Sequence, residues 1–193
     1  MTNKRQQQTQ KLVLGAIMTG LVIILQLVGS FTTFFGPFST AVALIPIVLG
    51  AAMCGTAVGA WLGFIFGMVV IISGGAALFF AFDVPGTIIT VLFKGILCGL
   101  AAGLIYNIVS KFNKYLAVLA AAIICPLVNT GVFLLGCYVF FMDNANEIAS
   151  TLGFNISGMA VFWALAMGNF ALEIISNAVL SPVIVRVLKF KNK

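Results

Sequence analysis

Histidine is absent from this chain, and acidic residues nearly so: four Asp and Glu in 193 residues. Without histidine, the commonest metal ligand and the side chain that titrates near neutral pH are both missing. No GxxxxGK[ST] stretch occurs, so the chain has no P-loop for ATP. No GxSxG or HExxH occurs, so the machinery of a membrane hydrolase or zinc protease is missing too. The four cysteines, Cys54, Cys98, Cys125 and Cys137, lie in apolar sequence without a CxxC spacing, and read as small free hydrophobes rather than a metal site. No cofactor and no enzymatic activity are expected of the chain itself.

What is present is apolar sequence. Hydrophobic residues make up 62% of the chain and charged residues 7%, and the mean hydropathy is +1.21. A soluble domain of this size has no means of hiding that much apolar surface. The apolar runs have the length of membrane helices, and the short alternating segments of a β-barrel are missing. The sequence predicts one integral membrane domain over 1–193, an all-α bundle with six spans at about 12–30, 38–54, 55–73, 86–110, 115–141 and 158–186. The second and third spans nearly touch around Met53 to Thr56, and Pro46 is a further candidate break in the second. The polar, basic opening segment runs directly into apolar sequence with no small-residue cleavage signature, so the first span is expected to be retained.

The formal charge of +6 is distributed as topology signals rather than as a nucleic-acid surface. Lys4, Arg5 and Lys11 precede the first span, Lys111 and Lys114 lie mid-chain, and Arg186, Lys189, Lys191 and Lys193 close it. Asp83, Asp143 and Glu147 occupy the intervening loops. The positive-inside rule then places both termini in the cytoplasm. The loops 31–37, 74–85 and 142–157 face outward, and the last is polar enough to carry a surface helix or lid.

Two glycine ladders mark the middle of the chain: Gly55, Gly59, Gly63 and Gly67, then Gly95, Gly99 and Gly103. Small residues every fourth position let helix backbones approach closely in lipid, so these ladders predict compact packing before any transport role. Aromatics such as Phe79, Phe82, Phe141, Phe162 and Trp163 crowd the outer side as interface belt, core or the cap of a pocket.

Two charged residues lie well inside the apolar stretches, Lys94 and Glu173. A charge at bilayer depth costs at least about 2.5–3.5 kcal/mol on insertion scales, so it needs a partner, water or a ligand. Asn169, Glu173, Asn177 and Ser181 recur at i, i+4, i+8 and i+12 along one face of the sixth span. Asn129 lies near the middle of the fifth span. Spans four, five and six therefore converge a cation, an anion and amides. Two readings stand, and they are not exclusive: Lys94 and Glu173 neutralise each other while the asparagines bond helix to helix, or some of these groups contact a polar solute. A stand-alone transporter using the pair as an ion relay is a further alternative.

These residues, with the runs Ala43-Leu-Ile-Pro46-Ile-Val-Leu-Gly50-Ala, Gly59-Ala-Trp-Leu-Gly63-Phe-Ile-Phe-Gly67, Pro85-Gly86, Lys94-Gly95 and Pro126-Leu-Val-Asn129-Thr130-Gly131, give the chain its likeness over nearly its whole length. It resembles a substrate-binding S component of the energy-coupling factor (ECF) transporters, the vitamin importers of bacterial and archaeal membranes. The resemblance implies a multi-pass protein of the bacterial cell membrane that binds a vitamin from outside and delivers it inward. Its expected partners are a membrane scaffold, the T component, and two ATPase subunits that hydrolyse ATP in trans. Family members dock on the scaffold through an AxxxA pattern on the first helix; here the stretch is Ala16-Ile-Met-Thr-Gly20, with glycine in place of the second alanine. The resemblance is greatest to pantothenate-type members, and it implies a substrate site built from Lys94, Asn129, Asn169, Glu173 and Trp163. Riboflavin, folate, cobalamin or a pyrimidine precursor are the alternative substrates.

Overall fold

A computed structural model describes residues 2–32, 43–168, 170–171 and 173–174 of the chain. Among them every regular element is a helix: α1 (Thr2–Thr32), α2 (Leu44–Cys54), α3 (Thr56–Ile72), α4 (Ala77–Phe80), α5 (Val84–Val109), α6 (Lys114–Phe140) and α7 (Ala145–Thr151), then α8 (Met159–Gly168). Residues 170, 171, 173 and 174 are helical as well. Three segments have the length and apolarity to cross a membrane: Gln8–Ser30 within α1, the whole of α5 and the whole of α6. The helices α2, α3 and α8 are apolar but shorter.

The close approach of the second and third apolar runs is made by Gly55, whose φ of 108° lies in a region L side chains rarely adopt. Its N–H caps α2 by donating to the Ala51 carbonyl at 3.1 Å, and its own carbonyl starts α3. Pro46 breaks nothing in the described segment. α2 begins at Leu44, so the proline sits in the first turn, where its missing N–H has no intrahelical acceptor to serve.

α5 is the central helix, and its small residues decide what it touches. A Cβ on Gly63 would overlap the Gly95 carbonyl, one on Gly99 would overlap the Gly59 carbonyl, and one on Gly103 would crowd the Thr56 backbone. The two glycine ladders therefore interlock in antiparallel register, and α3 lies backbone to backbone on α5. This is the contact by which membrane helices gain dispersion energy without a hydrophobic drive. The core beside it is filled by Val22, Leu44, Ile47, Val48, Leu62 and Phe66. At one end, Ser30 on α1 and Ser73 at the end of α3 share a hydrogen bond of 2.7 Å, and Ser30 also donates to the Gln26 carbonyl at 2.9 Å.

A second apolar cluster closes the Val84 end of α5 and the Phe140 end of α6. It joins Cys137 and Phe141 to Ala145, Ile148 and Ala149 of α7 and to Val161, Phe162 and Leu165 of α8. Phe79, from the short α4, packs edge-on against Phe133 (ring centroids 5.6 Å apart) and against Phe141 (5.1 Å). The polar outer loop expected over 142–157 thus contains α7, with its apolar side folded onto the bundle.

Candidate functional site

The face of α5 next to the glycines, about 100° round the helix, carries Thr90, Lys94 and Cys98, spaced one turn apart. α6 answers with Cys125, Asn129, Phe133 and Cys137 at the same spacing. The helices run antiparallel, and their contacts step along the seam in register. Gly86 lies against Phe140, Thr90 against Gly136, Lys94 Nζ over the Phe133 ring at 5.3 Å, and the Cys98 thiol against that of Cys125. Cys98, Cys125 and Cys137 are thiols outside any disulfide, and Cys98 Sγ donates to the Gly95 carbonyl at 3.1 Å.

Lys94 is about 15 Å along α5 from its Val84 end, and Asn129 is about 16 Å along α6 from its Phe140 end. Gly86 lies against Phe140 and Thr90 against Gly136, so Lys94 is level with about residue 132 and Asn129 lies about 4–5 Å further along α6. The lysine stem stays at the level of Phe133. There the ammonium lies on the ring's negative face, an attraction of about 0.5–2 kcal/mol depending on desolvation.

Glu173 is buried, 3% exposed, and so is Asn129 at 5%. They meet directly: Asn129 Nδ2 donates to Glu173 Oε1 at 3.0 Å. Lys94 and Glu173 feel each other's field, and among the described residues no ion pair within 4 Å joins them; the carboxylate is held by the amide and the ammonium by the ring. Among the described residues, three buried side-chain atoms have no hydrogen-bond partner: Thr90 Oγ1, Asn129 Oδ1 and Glu173 Oε2. Buried polar atoms are normally satisfied, and each left unpaired costs about 1–3 kcal/mol. All three belong to the same polar strip.

The structure therefore brings together Lys94, Asn129 and Glu173. Trp163 stands apart from them: its side chain is 49% exposed, while its neighbours Phe162 and Leu165 point inward. Asn169 lies outside the described residues, as do Asn177 and Ser181 of the same predicted face. Ala16 is exposed on α1, and a Cβ at Gly20 would have no atom within 4 Å. Both lie among outward-facing Val13, Ile17, Leu21 and Ile24. Sequence reading missed Thr90 and Phe133, whereas Phe79 is one of the aromatics it set on the outer side as belt, core or pocket cap. Phe133 was findable, being one turn from Asn129 on the same face; nothing in the sequence marks Thr90.

Three helices long and apolar enough to cross a membrane, with Lys94 and Asn129 at the interior seam of two of them, define an integral membrane protein. The family model described as ECF transporter, substrate-specific component, matches residues 10–185. The chain belongs to that family: it is a membrane-integral, substrate-binding transporter component rather than itself an enzyme, and its family works with T and ATPase components. No curated protein matches the chain.

Proposed function

We propose that the chain is the vitamin-binding S component of an ECF importer and that its substrate is pantothenate, taken up from outside and released inward while partner subunits hydrolyse ATP. In this reading both termini are cytoplasmic and six segments cross the membrane. Lys94, Asn129 and Glu173 contact the vitamin, together with Asn169 as the resemblance implies, while the outward-turned Trp163 is left out of the contact set, and Ala16 and Gly20 form part of the face that meets the scaffold.

The observation that carries the reading is the state of Lys94. Its ammonium rests on Phe133 and is not consumed by Glu173, so its donors remain available to a carboxylate. An ammonium held in a mostly apolar seam attracts an anion far more strongly than one in water. The unpartnered oxygens of Asn129 and Glu173 are in place for the hydroxyl and amide groups of the same molecule.

The test is calorimetric titration of the purified chain with pantothenate and with its alcohol analogue, in which CH2OH replaces the carboxylate. Lys94→Met keeps the stem and removes the charge. It is expected to weaken pantothenate binding by about 10- to 100-fold, the size of a charge-assisted hydrogen bond, and to leave the alcohol's affinity unchanged. Equal affinity of wild type and Lys94→Met for pantothenate contradicts the assignment.

A further inference from the structure

The Asn129–Glu173 pair has a polarity that its hydrogen bond fixes. A carboxylate can only accept, so Asn129 must turn its Nδ2 toward Glu173 Oε1, as it does at 3.0 Å. The amide oxygen is thereby aimed away from the carboxylate. That leaves two acceptors, Asn129 Oδ1 and Glu173 Oε2, flanking one hydrogen bond. Both are buried and, among the described residues, neither has a partner. No donor reaches them from Lys94, whose ammonium is on Phe133 about one turn away along α6.

We infer that this pair is a double-acceptor floor, and that the substrate class of the site is an elongated carboxylate solute whose far end carries two neighbouring O–H or N–H donors. The inference rests on the substrate-binding reading above and deepens it, because it gives Glu173 a direct contact with the solute and sets the solute's direction. The anionic end lies at Lys94 and the donor end at Asn129 and Glu173. A solute presenting acceptors at that end, as the carbonyl edge of a flat ring would, faces two lone-pair-bearing oxygens and is rejected. Discrimination of this kind is strong, because the wrong solute leaves buried acceptors unpaired. The chemistry admits a diol end, as in pantothenate, and a cyclic urea end, as in biotin.

The experiment pairs a ligand change with a protein change. Affinity is measured for pantothenate and for its analogue methylated on the terminal hydroxyl, which removes a donor and keeps the oxygen. Wild type is expected to prefer the parent by about 10- to 100-fold. Glu173→Gln keeps Oε1 for Asn129 and turns an NH2 group toward the solute, so the preference is expected to shrink to about 3-fold or less. A wild type that binds both ligands equally, or a Glu173→Gln protein that keeps the full preference, overturns the inference.

Biotin and its N-methylated ureido analogue form the second probe pair. If wild type binds biotin and not pantothenate, and N-methylation weakens it about 10-fold or more, the pantothenate assignment fails while the double-acceptor floor stands. If the vitamin bound carries no donor pair, the floor fails while substrate binding stands. Thermal stability of Glu173→Gln without ligand, expected to match or exceed wild type, separates a binding defect from misfolding.

Discussion

At the scale of single residues, the informative point is which partner each buried charge has. Lys94 and Glu173 stand out in the sequence because nothing else charged lies so deep in apolar sequence. Their pairing does not, because partner choice depends on how each helix is rotated about its axis. The amide of Asn129 holds the carboxylate and an aromatic ring holds the ammonium. A stability consequence follows. Asn129→Leu strips a buried carboxylate of its one donor among the described residues, and is expected to destabilise the protein by about 2–4 kcal/mol. Adding Glu173→Leu removes the stranded group as well, so the double variant should recover most of that loss. Chemical unfolding of the three variants in mild detergent reads the cycle; strictly additive losses would mean the two side chains are not coupled. The same rotation explains Trp163. The sequence shows an aromatic next to another aromatic, and packing turns Phe162 into the bundle and Trp163 out of it.

At the scale of elements, the glycine ladders were legible because their period is that of one helix face, and the structure interlocks them where the spacing implies. The neighbouring seam was only half legible. Its members, Thr90, Lys94 and Cys98 against Cys125, Asn129 and Phe133, follow the same four-residue period, but their mixed chemistry hides it. The two kinds of glycine on these helices predict opposite outcomes. Gly95→Val forces a side chain into the Gly63 carbonyl and backbone, and should cost about 3 kcal/mol or more, with loss of folded yield. Gly131→Ala meets nothing within 4 Å, so it should be neutral or stabilising by about 0.5–1 kcal/mol through helix propensity. Thermal unfolding monitored by tryptophan fluorescence tests both, and a Gly95→Val protein as stable as wild type would contradict the backbone contact. The cap of Phe79, α7 and α8 over the seam was least legible of all, because short helices in loops carry too few turns for periodicity to declare a face.

At the scale of the whole molecule, the bundle divides its labour between two sides. Polar groups gather inside, along the seam of α5 and α6 and at Glu173, beyond the end of α8. α1 turns an apolar stripe with small residues at Ala16 and Gly20 outward, suited to another membrane helix as well as to lipid. That division fits a component that binds a solute alone and needs partners only to move it. All-helical class and membrane character were readable from composition and run length. The solute is not readable from those quantities, because it depends on three or four side-chain atoms and their orientation. The most direct measurement is native mass spectrometry of the purified chain, expressed in rich medium and released from detergent in the gas phase. The account predicts one copy of the chain carrying one small carboxylate vitamin, with the mass of pantothenate, in the absence of any partner subunit. A chain that emerges without any vitamin, and still carries none after incubation with a vitamin panel, would contradict it.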